Sequence, residues 1–155
     1  MIAVQKLVEE GEIGKLKKVH VYCDGASRGN PGPASYGFAV VDPEIAFPDE
    51  YDFCYKEAGY IGFETNNVAE YMGVVSALDL LRENGVKEVT IRSDSQLLVR
   101  QLQGVYKVKA EGLIELFKQA QALVKNFKKC QFEHIPREEN TIADHLANRA
   151  LNLLK

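Results

Sequence analysis

The first strong pattern in the chain is an alternation of apolar and polar residues over residues 19–24, which ends on Asp24. A period of two is typical of a β-strand with one buried face. Gly25, Gly29, Pro31 and Gly32 follow, so the strand is expected to end in a turn. Because an unpaired buried carboxylate is costly, Asp24 needs a partner, which can be a metal ion, a helix N-terminus or a basic side chain.

The same reasoning predicts eight more elements along the chain. Period-two patterns predict strands at residues 35–42, 53–61, 88–93 and 130–135. Helical periodicity predicts helices at residues 67–84, 95–104, 110–127 and 141–154. The order is that of an α/β fold with a five-stranded mixed sheet flanked by helices, in which three antiparallel strands precede the parallel ones.

The N-terminal residues carry no clear pattern. Residues 1–18 are expected to be a surface extension, in which Val4, Leu7 and Val8 form at most a short amphipathic turn before Gly11. Residues 19–155 are expected to form one domain, which a chain of 155 residues has the length to support.

Composition excludes some classes of protein. The net charge of −3 is not that of a strongly basic nucleic-acid binder, although a local basic groove remains compatible with it. Three widely spaced cysteines do not form a disulfide framework or a cysteine zinc motif, which favours a reducing compartment. No apolar run has the length of a membrane span, and the start does not resemble a signal peptide. We therefore expect a cytoplasmic protein without membrane contact.

Four acidic residues lie at positions suited to a catalytic or metal-binding role. Asp24 and Asp94 end predicted strands, and Glu70 and Asp144 lie in the first turns of predicted helices. Each has an ordinary explanation, since turns favour Asp and a helix N-terminus stabilises an acid by about 0.3–1 kcal/mol. If strands 19–24 and 88–93 are parallel neighbours, however, all four acids meet at one rim of the sheet.

Four clustered carboxylates repel each other and therefore require a cation. Oxygen ligands alone suit a hard ion, Mg²⁺ or Mn²⁺, better than zinc. Such a set can hold two ions about 4 Å apart, an arrangement suited to in-line displacement at phosphorus.

Four short stretches carry a resemblance to a known family. They are DGASRGNPGP at residues 24–33, TNNVAE at residues 65–70, SDSQ at residues 93–96 and NTIAD at residues 140–144. In this order and spacing they closely resemble the signature blocks of type 1 ribonuclease H. The resemblance implies a ribonuclease H-like fold and endonucleolytic hydrolysis of the RNA strand of RNA/DNA hybrids, which leaves 5′-phosphate and 3′-hydroxyl ends.

The resemblance also implies roles for individual residues. Asp24 would bridge two divalent ions, Mg²⁺ or Mn²⁺, and Glu70, Asp94 and Asp144 would complete their ligands. Glu70 would also sense a 2′-hydroxyl near the scissile phosphate. Residues expected to contact the nucleic acid are Gly25, Arg28, Asn30, Thr65, Asn67 and Gln96. The expected partner is an RNA/DNA hybrid bound by a monomer, and activity on double-stranded RNA is left open.

The chain departs from many family members in two places. A basic helical protrusion is replaced by a short link, in which Lys107 and Lys109 are expected to contact the DNA backbone. In the loop before the last acid, where many bacterial members have a histidine, this chain has Arg137, as archaeal-like members do. We expect Arg137 to be the auxiliary catalytic residue and to act electrostatically, since arginine stays protonated. His134 is the alternative.

Two other functions compete with this hypothesis. A 3′→5′ exonuclease of the same fold would have an Asp-x-Glu in its first strand, whereas Asp24 is followed by Gly25 and Ala26. A non-catalytic nucleic-acid-binding module would commonly have lost one of the acids, and all four are present.

Overall fold

The computed structural model describes residues 4–154, without the side chains of residues 8–10 and 154. Its strands are β1 (Gln5–Gly11), β2 (Lys18–Ser27), β3 (Gly32–Val41), β4 (Tyr55–Glu64), β5 (Glu88–Ser93) and β6 (Lys129–His134). Its α-helices are α1 (Asn66–Glu83), α2 (Gln96–Leu102), α3 (Glu111–Val124) and α4 (Thr141–Leu154), and a short 3₁₀ turn spans Arg137–Glu139.

All strands described belong to one mixed sheet in the order β1-β4-β3-β2-β5-β6. β2, β3 and β4 form an antiparallel meander, whereas β5 runs parallel to both β2 and β6. The predicted parallel pairing of the first and fourth core strands is therefore confirmed, and the carboxyl ends of β2 and β5 lie at the same rim.

The sheet has six strands, so the prediction of five strands is wrong. The added strand is β1, which lies within the expected N-terminal extension and pairs antiparallel with β4 from Gln5 opposite Tyr60 to Gly11 opposite Tyr55. Ile13, just after β1, is buried in the main core. The predicted amphipathic turn is thus a strand, although the side chain of Val8 lies outside the described residues.

Helices cover both faces of the sheet. Val19, Val21 and Cys23 of β2 belong to the larger core cluster, which also contains residues of α1 and α3. Tyr22 faces the opposite side and packs in a cluster with Ala143 of α4. By alternation, Asp24 shares the face of Tyr22, on the side of α4.

Two glycines allow the first turns of α1 and α4 to approach the sheet closely. A Cβ atom on Gly25 would lie 2.4 Å from the backbone nitrogen of Glu70, and one on Gly37 would lie 2.6 Å from the carbonyl oxygen of Ala143. No side chain fits into either gap, so each glycine is required for a helix to rest on the strand backbone. The first turns of both helices are thereby held next to the end of β2.

Candidate active site

The four predicted acids line a single cleft of about 500 Å³ at the rim of the sheet. Asp24 lies in β2, Asp94 lies between β5 and α2, and Asp144 lies in the first turn of α4 as predicted. Glu70 lies just beyond the first turn of α1, not within it as predicted, because α1 begins at Asn66. Asp24 and Glu70 are buried, with exposed fractions of 9% and 6%. Four separate elements therefore bring their carboxyl groups to one place.

Burial and mutual repulsion alter the ionisation of this cluster. Burial, followed by repulsion from Asp94, raises the pKa of Asp24 to about 8, although the backbone N–H of Gly25 donates a hydrogen bond to its carboxylate at 2.9 Å. Burial and repulsion from Asp94 also raise the pKa of Glu70 to about 8, against a hydrogen bond with Ser95 that lowers it. Ionised carboxylates in this cleft therefore destabilise the folded protein, and a bound cation would offset that destabilisation.

The donor set fits a hard divalent cation. All four groups are carboxylates, the oxygen ligands that Mg²⁺ and Mn²⁺ prefer. Within residues 4–154, no group of three or more acidic, histidine or cysteine side chains is arranged so that it could hold a metal ion as it stands. Repulsion between like charges opposes a closer grouping of the carboxylates until a cation is bound.

Amide and hydroxyl groups surround the acids. Asn67 and Gly25, which are predicted to contact the nucleic acid, line the cleft. It is also lined by Ala26, Ser27, Asn66, Ser95 and Asn148, which were not predicted as site residues. The amide of Asn148 donates to the carbonyl oxygen and the carboxylate of Asp144 at 3.0 and 3.3 Å. Its spacing of four residues from Asp144 on a predicted helix is the sequence signal that could have identified it.

Other predicted contact residues hold the local structure together. The side-chain oxygen of Asn30 accepts a hydrogen bond from the backbone N–H of Asn66 at 3.1 Å, and the hydroxyl of Thr65 accepts one from Val68 at the start of α1. The guanidinium of Arg28 donates to Asn152 in α4. These three side chains lie beside the cleft and do not line it.

The remaining predicted residues differ in whether they line the cleft. Arg137, the first residue of the 3₁₀ turn, lines the cleft with the four carboxylates. His134 is exposed at the end of β6 and does not line it. Gln96 is exposed at the start of α2, and Lys107 and Lys109 are exposed in the link between α2 and α3. Of the two candidates for the auxiliary role, only Arg137 borders the acids.

A larger cavity of about 570 Å³ lies away from this rim, between the sheet and helices α1 and α3. Its lining includes the buried Glu57, whose carboxylate accepts hydrogen bonds from the hydroxyls of Tyr36 and Tyr55 at 2.6 and 2.8 Å. Because two donors already satisfy this carboxylate, the cluster is explained by the structure of the core.

Comparison with known proteins assigns the fold to one family. A family described as reverse transcriptase-like matches residues 22–150. The crystal structure of RNase H1 from Halobacterium salinarum is similar with a TM-score of 0.77 and 39% identity, over 87% of this chain and 98% of that one. LC11-RNase H1, solved in complex with an RNA/DNA hybrid, has a TM-score of 0.78 and 40% identity, over 86% of this chain and 96% of that one.

The chain belongs to the type 1 ribonuclease H family. Its relative Rv2228c of Mycobacterium tuberculosis, described as a bifunctional protein, is 44% identical over 87% of this chain and 36% of that protein. This chain therefore spans about a third of the length of that relative. Among the helices described, none combines the length and apolar character needed to cross a membrane.

Proposed function

We propose that this chain hydrolyses the RNA strand of RNA/DNA hybrids endonucleolytically and leaves 5′-phosphate and 3′-hydroxyl ends. The observation that carries the proposal is the meeting of Asp24, Glu70, Asp94 and Asp144 in one cleft from four separate elements. Membership of the type 1 ribonuclease H family supports it, as does the hybrid-bound structure of LC11-RNase H1. The proposed catalytic domain is residues 19–155, to which β1 adds an edge strand.

The proposed cofactors are two divalent cations, Mg²⁺ or Mn²⁺, held by the four carboxylates. The ribonuclease H family generally uses divalent metal ions. Bound at this rim, such ions would activate a water nucleophile and offset the charge of the leaving oxygen. We propose that Asp24 would be shared between them, since it lies on one of the two central strands and the charges of the other three acids all raise its pKa.

The side chains around the acids supply orientation and selectivity. Amide groups of Asn66, Asn67 and Asn148 can both donate to and accept from base edges and 2′-hydroxyls. The guanidinium of Arg137 would contact a phosphate or the departing product with charge-assisted hydrogen bonds. Glu70 would accept a hydrogen bond from the 2′-hydroxyl beside the cut, which DNA lacks.

The acidic rim and the exposed link predict modest, salt-sensitive binding. The net charge is −3, and Lys107 and Lys109 are the basic residues proposed to contact the DNA backbone. Each phosphate contact adds roughly 0.9 to the slope with which the logarithm of affinity falls with the logarithm of salt concentration. Two lysine contacts therefore make binding salt-sensitive, with a smaller slope than that of a strongly basic binder. Double-stranded RNA is the second substrate to examine, since it also presents 2′-hydroxyls.

The decisive experiment uses an end-labelled RNA/DNA hybrid beside all-DNA and all-RNA duplexes of the same sequence. The full chain is assayed with Mg²⁺, with Mn²⁺ and with EDTA. We expect internal cuts in the RNA strand that require the metal ion, and product ends that accept ligation at the 5′-phosphate. Metal-dependent cutting of the all-DNA duplex at the same rate would favour the exonuclease or another nuclease class. Binding of the hybrid without any cut would indicate a non-catalytic module.

A matched pair of variants distinguishes the loss of a cleft carboxylate from the general effect of removing an acidic residue. Asp24→Asn is expected to abolish cleavage, whereas Asp79→Asn, on the exposed side of α1 in an ion pair with Arg82, should cleave like the wild type. Full activity of Asp24→Asn would refute the assignment of the acids.

A further inference from the structure

Asn140 is a buried link between the elements that carry the acids. It lies between the 3₁₀ turn and α4, and its exposed fraction is 1%. Its side-chain nitrogen donates to the carbonyl oxygen of Cys23 in β2 at 2.8 Å and to the carboxylate of Asp94 at 3.0 Å. One amide group thus joins the strand residue before Asp24 to the side chain of Asp94.

Only a side chain with two hydrogens on one atom can make this pair of contacts. Both partners are acceptors, so an aspartate of the same shape would face them with oxygen atoms alone. The side-chain oxygen of Asn140 is buried and has no hydrogen-bond partner among the residues described. An unpaired buried acceptor destabilises the fold, so the useful part of this side chain is its pair of N–H groups.

The backbone of Asn140 extends the link to two more residues of the cleft. Its N–H donates to the carbonyl oxygen of Arg137 at 3.0 Å, and its carbonyl oxygen accepts from the N–H of Asp144 at 3.2 Å. The residue does not itself line the cleft. Its position therefore affects Asp94, Arg137 and Asp144 together, without contact to a substrate.

We propose that Asn140 is a positioning residue, which fixes the carboxylate of Asp94 relative to the end of β2 so that the acids can share divalent cations. The inference rests on the proposed metal-dependent function. Outer partners that orient metal ligands typically contribute about 10–100-fold to metal affinity. The loss of the Asn140 amide is therefore expected to appear in ion binding and not only in stability.

The test is the Mn²⁺ affinity of the full chain, measured by titration calorimetry in the wild type, Asn140→Ala, Asp94→Ala and the double variant. We expect Asn140→Ala to weaken binding by about tenfold or more when Asp94 is present. In the Asp94→Ala background, the same substitution should change the affinity by less than about twofold, because the side-chain acceptor at residue 94 is gone. If the alanine variant does not fold, Asn140→Ser replaces it, with the same expectation.

A control variant accounts for general loss of packing. Ser35 is also fully buried, and its hydroxyl donates to the carbonyl oxygen of Ala147 in α4, but it does not contact Asp94. Ser35→Ala should lower the melting temperature and leave the Mn²⁺ affinity unchanged. Equal weakening by Asn140→Ala in both backgrounds, or none in either, would overturn this inference alone. A wild-type chain that binds no Mn²⁺ would overturn the metal-dependent function and this inference with it.

Discussion

Asp24 in β2 lies directly opposite Gly37 in β3, and the missing side chain of Gly37 leaves room for α4 to rest on the sheet at that point. Asp144, in the first turn of α4, is thereby held beside Asp24. On the other face, Gly25 lets α1 approach and places Glu70 near the same strand end. These two close helix–strand contacts bring three of the acids together, and the parallel pairing of β2 with β5 brings Asp94 to the same rim.

Substitution of Gly37 by alanine is expected to separate these elements. The added Cβ would lie 2.6 Å from the carbonyl oxygen of Ala143 and 2.8 Å from the backbone nitrogen of Ala147, so α4 must shift. We expect a loss of about 1–3 kcal/mol in unfolding free energy from overpacking, together with reduced cleavage of hybrid. Urea unfolding and steady-state turnover measure the two effects.

Gly112 in α3 provides the matched control, because a Cβ there would meet no atom within 4 Å. Gly112→Ala should stabilise the chain by roughly 0.5–1 kcal/mol and leave turnover unchanged. Wild-type turnover and stability of Gly37→Ala would contradict the close approach of α4.

The metal-free protein is expected to lose stability as the pH rises from about 4 to about 8. In the folded chain, burial raises the pKa of both Asp24 and Glu70 to about 8, whereas in the unfolded chain these groups titrate near 4. Between these values the folded state binds more protons than the unfolded state, so the free energy of unfolding falls with rising pH. Urea unfolding in EDTA across this range measures the slope.

Asp24→Asn should reduce that slope and stabilise the metal-free protein near pH 8, because it removes a buried carboxyl group whose ionised form is disfavoured in the folded state. Asp79→Asn should leave the slope unchanged. Addition of Mg²⁺ to the wild type near pH 8 should restore stability, since the ion binds only the folded state. A free energy of unfolding that is constant over the range would show that the acids are not mutually destabilising.

Arg137 and His134 differ in that Arg137 lines the cleft with the acids and His134 does not. Arg137→Ala is expected to lower turnover at saturating hybrid by about tenfold or more, because it removes charge-assisted contacts from the cleft. His134→Ala should stay within about twofold of the wild type, since its exposed side chain lies outside the cleft. The reverse order of effects would assign the auxiliary role to His134.

The cysteine thiols are expected to resist alkylation in the folded chain. Burial raises the pKa of Cys130 to about 12, and burial followed by repulsion from Asp24 raises that of Cys23. The pKa of the partly buried Cys54 is raised by burial as well. Because the thiolate is the reactive form, iodoacetamide near pH 8 should leave the native mass unchanged. After denaturation in guanidinium all three thiols should react, and rapid labelling before denaturation would contradict this burial.

Much of this architecture could be predicted because the signals are local. The strand alternation before Asp24, the cap at Thr65 and the helical spacing of α4 each depend on neighbouring residues. β1 was missed because its evidence is long-range. Its short apolar pattern gives no clear period, and only pairing with β4 makes it a strand.

The polar contacts of the site were harder to predict for a related reason. Asn140 reads as a loop residue, and its role depends on Cys23 and Asp94, which are distant in the chain. The side-chain oxygen of Asn30 accepts a hydrogen bond at the start of α1, a contact that the sequence did not predict. Its contact with nucleic acid stays a prediction. The hydrogen-bond partner of a side-chain amide depends on the tertiary fold, and residue spacing along the sequence does not specify it.

The late position of α4 in the chain has a consequence for synthesis. A growing chain that has emerged from the ribosome only as far as β6 contains Asp24, Glu70 and Asp94 but lacks Asp144. Its backbone at Gly37 is not yet packed against α4. Such an intermediate cannot assemble the complete set of acids, however well its sheet has formed. On the proposed function, nuclease chemistry would begin only after α4 has docked, and a chain that has emerged without α4 would not cut the nucleic acids around the ribosome.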